Sequence, residues 1–176
     1  MDVGQLRSKI RDIKDFPTEG ILFRDITTLL KNPVAFNLAA DLLYERYRDS
    51  RIAKVVSAES RGYILGSVLA YRLHAGFVPV RKPGKLPAET IREEYKLEYG
   101  SDVLEMHTDA VQKGERVLVH DDLLATGGTI EATCRLVERA GGVIVGLAFL
   151  IELDFLKGRD RLKHYDVFSL IRYESE

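Results

Sequence analysis

The spacing of apolar residues along the chain predicts strands that alternate with helices. Short apolar runs predict strands over residues 52–57, 76–80, 116–119, 143–151 and 166–171. Helical periodicity predicts helices over residues 33–48, 62–73 and 128–140. Strands that alternate with helices are typical of parallel βαβ units, and strands that are almost wholly apolar are covered on both faces. The pattern therefore predicts the α/β class, with an open, mainly parallel twisted sheet flanked by helices.

Two segments do not follow this alternation. Near the amino terminus, Leu6, Ile10 and Ile13 fall at helical spacing, which predicts a helix that ends before Pro17. Residues 81–100 are rich in charge, proline and glycine and show little periodicity. Long irregular segments within compact domains are often lids over a site, so we expect this one to be a lid.

Composition narrows the class of protein. The 176 residues are 45% hydrophobic and 30% charged, which indicates one folded domain that needs no disulfide or metal for stability. The 26 basic and 27 acidic residues give a net charge of −1, which argues against nucleic acid as a partner. The one cysteine suits a reducing compartment, and no apolar run approaches the roughly 20 residues that span a bilayer. We therefore expect a cytoplasmic protein with no membrane contact.

The most informative segment joins a strand to a helix. The strand over residues 117–119 leads to Asp121 and Asp122, then to the small polar loop Ala125-Thr126-Gly127-Gly128-Thr129, and then to a helix. Backbone N–H groups at a helix amino terminus bind phosphate, and glycines let the anion approach closely. The two carboxylates can accept hydrogen bonds from sugar hydroxyls, so a ribose 5-phosphate satisfies both halves of the segment.

Other phosphate and metal motifs are absent from the sequence. It contains neither the dinucleotide-binding glycine pattern nor the P-loop pattern. It has no HExxH motif, and its four histidines show no spacing typical of metal ligands. We therefore expect no metal held by protein side chains.

Segment 117–129 resembles the 5-phosphoribosyl-1-diphosphate (PRPP) binding motif of the type I phosphoribosyltransferases. Its Leu-Leu-Ala-Thr-Gly-Gly-Thr form is similar to the branch of that family that uses adenine. Residues 16–27 resemble the family's base-binding segment, and residues 59–62 resemble its diphosphate loop. Residues 81–87 and 94–100 resemble the two halves of its catalytic lid. The segments occur in the family's order and cover most of the chain.

The resemblance implies an activity and an organisation. Adenine and PRPP would give AMP and diphosphate, a reaction of purine salvage, with Mg²⁺ carried by the substrate. The chain would be a single phosphoribosyltransferase domain over residues 1–176, with a small base-binding hood over residues 1–30 and a flexible lid over residues 81–103. It would act as a homodimer whose partners are the two small-molecule substrates.

The resemblance also implies roles for individual residues. The residues that bind PRPP or AMP would be Ser60, Arg61, Arg81, Lys85, Asp121, Asp122, Ala125, Thr126, Gly127, Gly128 and Thr129. Adenine would stack on Phe23, and its edge would be bound by the backbone of Leu22 and Arg24. The catalytic residues would be Arg61, Lys85, Glu98 and Tyr99, with one diphosphate-binding cation supplied by the neighbouring subunit.

Several of these residues have an alternative structural interpretation. The cations from Arg81 to Lys85 can form a solvated basic loop, and Phe23 can be a core residue. Arg24 and Asp25 can form an ion pair with each other. His120, where the family usually has an apolar residue, is interpreted as a buried histidine with its hydrogen bonds satisfied. Cys134 is interpreted as a small core residue.

The sequence is also compatible with two other functions. A sister enzyme would use another base, such as hypoxanthine, guanine, xanthine or uracil. A ligand sensor would keep the fold without catalysis. Such regulators generally carry an added DNA-binding domain, for which we expect no room before Phe16.

Overall fold

Five parallel strands form the centre of the protein. The structure, a computed structural model, describes residues 3–96 and 101–175. The sheet has the order β4-β3-β7-β8-β9, and each neighbouring pair of strands is parallel. Its strands are β3 (Lys54–Ala58), β4 (Gly76–Val80), β7 (Arg116–Leu124), β8 (Val143–Leu153) and β9 (Val167–Tyr173). The predicted open parallel sheet is confirmed.

Helices cover both faces of this sheet, as the apolar strands predict. The helices α3 (Pro33–Tyr47) and α4 (Gly62–Arg72) pack on one face, and α5 (Gly128–Arg139) packs on the other. Pro33 is the first residue of α3, and the Asn32 side chain accepts a hydrogen bond from the Ala35 amide at 3.0 Å. This cap explains why α3 begins where the sequence predicts.

The amino-terminal segment differs from the prediction. The helix α1 (Val3–Arg7) is short, and the chain then forms β1 (Arg11–Lys14), β2 (Leu22–Asp25) and the four-residue helix α2 (Thr27–Leu30). The predicted helix through Ile13 is therefore wrong, because Ile13 lies in β1 and pairs with Phe23 of the antiparallel strand β2. Pairing with a strand later in the chain outweighs the local helical spacing. These elements lie within residues 1–30, for which the resemblance implies a base-binding hood.

The segment predicted to be an irregular lid contains a hairpin. Its strands are β5 (Thr90–Lys96) and β6 (Ser101–His107), which pair antiparallel and pack against α5. Residues 97–100, which join them, lie outside the described residues.

After β8 the chain makes two 3₁₀ turns, Asp154–Leu156 and Gly158–Leu162. None of the helices that the structure describes is long and apolar enough to cross a membrane.

Candidate active site

A cavity of about 440 Å³ opens at the carboxyl ends of the central strands. Ligands bind at this edge of an open α/β sheet. The cavity is lined by Glu59, Ser60, Arg61, Asp121, Asp122, Leu123, Leu124, Ala125, Thr126, Gly127, Gly128, Thr129 and Ile130. The structure therefore brings the two aspartates, the glycine loop and the loop before α4 to one site.

The glycine loop has the form of an anion-binding turn. Gly127 has a φ of 83°, in the left-handed region that favours glycine, and α5 begins at the next residue. A Cβ atom at Gly127 would lie 2.7 Å from the carbonyl oxygen of Gly158, so the loop packs directly against the 3₁₀ turn that begins at Gly158. Its N–H groups belong to the amino terminus of a twelve-residue helix, where the helix dipole favours negative charge.

The two carboxylates lie on the last part of β7, which continues past them to Leu124. The Asp122 side chain is 8% exposed and its Oδ2 is 2.8 Å from Nε of Arg61. The Asp122 amide donates to Oδ1 of Asp121 at 2.9 Å. Burial raises the pKa of both carboxyls; the neighbouring Asp122 raises that of Asp121 further, whereas Arg61 lowers that of Asp122. Hydrogen-bond donors or positive charge in the cavity would therefore stabilise the ionised form of both carboxyls.

The loop that leads into α4 packs closely against these carboxylates. A Cβ atom at Gly62 would lie 2.6 Å from Oδ1 of Asp121. A side chain at this position would therefore push the loop away from the end of β7. The glycine lets Ser60 and Arg61 line the same cavity as the aspartates.

The cations after β4 are held at the rim of the cavity by Glu59. The Glu59 carboxylate accepts hydrogen bonds from Arg81 at 3.1 and 3.2 Å and from Lys85 at 3.1 and 3.2 Å. It also accepts one from the Lys82 amide at 2.7 Å. Burial raises the pKa of Glu59, but these bonds outweigh burial and leave it lowered. Lys82 and Lys85 remain exposed, so this basic loop is solvated while Glu59 pairs with Arg81 and Lys85.

A second cavity, of about 400 Å³, adjoins the first. Its apolar lining includes Ile13, Phe16, Phe23 and Ile26, and Arg61 lines both cavities. The rings of Phe16 and Phe23 are edge to face with centroids 5.0 Å apart, and the Arg61 guanidinium lies 5.4 Å from the Phe23 ring. Phe23 is a partly exposed wall of this cavity and not a core residue.

Two predicted adenine-binding residues direct their side chains elsewhere. The Arg24 side chain is 8% exposed, forms an ion pair with Asp12 at 2.5 Å and stacks 4.1 Å above the Tyr173 ring. Asp25 pairs with Arg11, so the predicted ion pair between Arg24 and Asp25 is wrong. Both pairs join residues that face each other across β1 and β2. Leu22 lines a different surface depression.

Other predicted residues lie outside the cavity lining or outside the described residues. Arg81 and Lys85 do not line the cavity but form ion pairs with Glu59, which does. Glu98 and Tyr99 belong to the segment that the structure does not describe. Sequence reasoning missed Ile13 and Phe16 as pocket residues. Ile13 was missed because its spacing from Leu6 and Ile10 predicts a helix. Phe16 could have been identified from its position directly before Pro17, within the segment that resembles the base-binding segment.

This site is typical of enzymes that bind a phosphorylated ribose, and comparison with protein families agrees. Residues 25–175 match the model of the phosphoribosyl transferase domain. The chain therefore belongs to the phosphoribosyltransferase family.

Individual relatives place it in one branch of that family. The adenine phosphoribosyltransferase of Chloroflexus aurantiacus is 60% identical over 168 residues, which are 96% of this chain and 97% of that protein. The crystal structure of the Thermoanaerobacter pseudethanolicus enzyme has a TM-score of 0.95 at 51% identity, covering 97% of this chain and 99% of that one. That of the Saccharomyces cerevisiae enzyme, complexed with an imino-altritol bisphosphate and adenine, has a TM-score of 0.91 at 40% identity, covering 96% and 97%. The branch is that of the adenine phosphoribosyltransferases, as the sequence motif predicts.

Proposed function

We propose that the chain transfers the phosphoribosyl group of PRPP to adenine, giving AMP and diphosphate. The observation that carries this proposal is the junction of the two cavities at Arg61. One cavity joins a phosphate-binding loop to a pair of carboxylates, and the other is an apolar pocket walled by phenylalanines. A sugar phosphate in the first and a purine in the second would meet beside Arg61.

The ribose 5-phosphate part of PRPP fits the first cavity. The loop from Ala125 to Thr129 would bind the 5-phosphate through its amides and threonine hydroxyls. Asp121 and Asp122 would accept hydrogen bonds from the ribose hydroxyls, which requires them to be ionised. They would also stabilise the positive charge that develops at C1′ as its bond to the diphosphate breaks.

The diphosphate would lie beside Ser60 and Arg61, within reach of Arg81 and Lys85. In the structure the latter two both pair with Glu59, so they already lie together at the rim of the cavity and keep a net positive charge. Fixed cations stabilise the charge that the leaving group gains in the transition state. We propose that Arg61 and Lys85 act on this leaving group.

The base would lie against Phe23, with its edge near the backbone of Leu22 and Arg24. N9 of adenine forms the new bond to C1′ and loses its proton. The family resemblance assigns Glu98 to the purine near N7 and Tyr99 to closure of the lid, and both roles stay hypotheses. A lid that closes over the reactants would exclude water, which otherwise hydrolyses the activated sugar.

The donor set suits a magnesium ion that arrives with the substrate. Within residues 3–96 and 101–175 no three His, Cys, Asp or Glu side chains cluster as a metal site. Mg²⁺ commonly binds through substrate phosphates and water and not through a cage of protein ligands. When bound, it would neutralise the diphosphate, whereas the protein orients the ribose and the base.

We further propose that the chain acts in the cytoplasm as a homodimer. Its only cysteine, Cys134, is buried and unpaired, which suits a reducing compartment. The outer face of α4 exposes Ile64 and Tyr71, two helical turns apart, and Tyr71 is 83% exposed. Because α4 follows the loop that carries Ser60 and Arg61, a second copy on this face would lie near the active site and could supply a cation to it.

The test is a panel of bases assayed with PRPP and Mg²⁺. We expect AMP from adenine and little product from hypoxanthine, guanine, xanthine or uracil. Omission of PRPP, or its replacement by ribose 5-phosphate, is the control for adventitious product. Turnover of another base without AMP formation would refute the adenine assignment. Binding of adenine and PRPP without turnover of any base would favour the ligand sensor.

A further inference from the structure

Tyr95 belongs to the lid hairpin but extends to the phosphate loop. It lies on β5, is 8% exposed and packs in the apolar cluster between the sheet and α5. Its hydroxyl oxygen is 3.5 Å from Oγ1 of Thr129, on the first turn of α5. No other residue of the hairpin forms a side-chain hydrogen bond to the phosphate loop among the described residues.

The Tyr95 hydroxyl also contacts a charged pair. It donates to Oδ2 of Asp102 at 3.4 Å, and Tyr95 and Asp102 are direct partners across β5 and β6. The same carboxylate oxygen is 3.0 Å from Nζ of Lys82, whose amide donates to Glu59. Polar contacts therefore run from the phosphate loop, through the hairpin, to the basic loop at the diphosphate end of the site.

The hairpin is docked independently on the helix of the phosphate loop. Arg135 and Arg139 of α5 form ion pairs with Glu93 at 3.2 and 3.1 Å, and Arg139 also donates to the carbonyl of Arg92 at 2.5 Å. These contacts keep β5 beside α5 without Tyr95. Loss of the Tyr95 hydroxyl should therefore leave the hairpin in place and remove only the polar link.

We propose that Tyr95 is a positioning residue that couples occupancy of the phosphate loop to the lid hairpin. This inference rests on the proposed function, in which Thr129 binds the 5-phosphate of PRPP. A hydroxyl has one proton, so Thr129 cannot donate to the phosphate and to Tyr95 at once. When it donates to the phosphate, it offers Tyr95 only a lone pair. The Tyr95 hydroxyl then donates its proton to Thr129 in place of Asp102, and Asp102 keeps its ion pair with Lys82.

The two long contacts fit an exchange of partners. Oxygen-to-oxygen distances of 3.4 and 3.5 Å exceed the usual 2.5–3.0 Å, so neither bond of Tyr95 is tight. The Lys82 to Asp102 pair at 3.0 Å is closer and remains in both arrangements. Binding at one end of the site thus changes the hydrogen bonding of the hairpin while its ion pairs persist.

The experiment compares Tyr95→Phe with wild type and with Tyr165→Phe. The control Tyr165→Phe also removes a hydroxyl that donates to a carboxylate. The Tyr165 hydroxyl donates to Glu138, toward the other end of α5, at 2.7 Å. Hydrogen exchange of residues 90–96 and 101–107 is measured with and without saturating ribose 5-phosphate. We expect ribose 5-phosphate to change exchange in wild type and Tyr165→Phe by several-fold and to leave Tyr95→Phe almost unchanged.

Steady-state kinetics give a second readout. Because Tyr95→Phe leaves the Thr129 hydroxyl free to donate to the phosphate without an exchange of partners, we expect this variant to lower the KM for PRPP, by about tenfold or less, the effect of at most one hydrogen bond, while the KM for adenine stays within about twofold. A wild-type response of the hairpin in Tyr95→Phe, or no response in wild type with ribose 5-phosphate bound, would overturn the coupling. Failure of the proposed function would appear differently, as absence of AMP formation by wild type.

Discussion

At the scale of single residues, the Asp122 carboxyl is subject to two opposing influences, burial and the charge of Arg61. Its carboxylate is nearly buried, with Arg61 as counterion at 2.8 Å. Burial favours the neutral acid and Arg61 favours the carboxylate, and the pKa remains raised. Ribose hydroxyls would add donors to the carboxylate and favour ionisation. Removing the negative charge should therefore affect the sugar substrate before the base.

We expect Asp122→Asn to lower kcat/KM for PRPP about 10- to 100-fold, since hydrogen bonds to charged groups contribute roughly 1.5–3 kcal/mol. Thr126→Ala, which removes a neutral donor, should lower it by about tenfold or less. The KM for adenine should change little in either variant. Steady-state kinetics in which each substrate is varied in turn measure these effects.

The control is Asp166→Asn, which breaks an exposed ion pair with Arg46. Both residues are distant in sequence from the loop of residues 125–129. Equal losses for both substrates would contradict the site assignment.

His120 is buried as predicted. In the described part of the chain neither ring nitrogen has a partner with full hydrogen-bond geometry, although the Ala148 backbone interacts with the imidazole. Burial lowers its pKa from 6.5 to about 4. The unfolded chain therefore binds a proton below pH 6.5 that the folded chain binds only near pH 4. The contribution of the neutral imidazole to stability is complete above pH 6.5 and is lost as the pH falls toward 4.

We expect wild type to lose about 3 kcal/mol more unfolding free energy than His120→Leu between pH 7 and pH 4, since one pKa unit corresponds to about 1.4 kcal/mol. Urea denaturation at several pH values measures this difference. Asp121 and Asp122, whose raised pKa values act in the opposite direction, are present in both proteins and cancel. Parallel pH profiles for the two proteins would contradict this account of His120.

At the scale of elements, the phosphate loop depends on one backbone conformation. Gly127 combines a left-handed φ with a carbonyl oxygen 2.7 Å from where a Cβ would lie. Gly114 offers a matched comparison because it has the same φ of 83° and no atom within 4 Å of the Cβ position. The two glycines separate conformational strain from steric contact.

We expect Gly114→Ala to cost about 1–2 kcal/mol of stability through the left-handed backbone alone, with unchanged kinetics. Gly127→Ala should cost more and raise the KM for PRPP by about tenfold or more, since displaced amides lose charge-assisted bonds to phosphate. Thermal unfolding and PRPP-dependent kinetics of both variants measure this. Equal effects of the two substitutions would show that contact with Gly158 is unimportant.

Two elements show where local sequence reasoning fails. The pattern at Leu6, Ile10 and Ile13 is helical, yet β2 lies alongside β1 and its strand pairing decides the conformation of Ile13. The residues of β5 and β6 show little periodicity because the charged side chains of Glu93 and Glu105 form ion pairs with arginines in place of apolar contacts. In both cases the partner is distant in sequence or charged, so hydrophobic spacing does not reveal it.

At the scale of the whole molecule, the proposed homodimer places the outer face of α4 between two copies. Substitution of Tyr71 by arginine would bring charge into that face on both copies, and like charges repel across a two-fold interface. Val34, which is 60% exposed on α3, provides a control for adding an arginine to the surface.

We expect the wild-type chain and Val34→Arg to sediment at about twice the 19.9 kDa of one chain, with Tyr71→Arg shifted toward monomer. Sedimentation equilibrium over a range of concentrations measures this. If the monomeric variant loses turnover while it still folds, the partner subunit contributes to the active site. An unchanged mass in Tyr71→Arg would exclude this face as the interface.

The sequence by itself determined the parallel α/β sheet, the glycine loop that follows two aspartates at the end of a strand, and the branch of the phosphoribosyltransferase family. These features depend on local information: apolar runs, a helix amino terminus, and glycines and carboxylates in one short segment. Only the tertiary structure decided that Glu59 holds Arg81 and Lys85, that Arg24 stacks on Tyr173, and that Tyr95 reaches Thr129. Each of these contacts joins residues far apart in the chain. A charged or aromatic side chain shows in the sequence what it can bind, but only the fold brings one partner within reach.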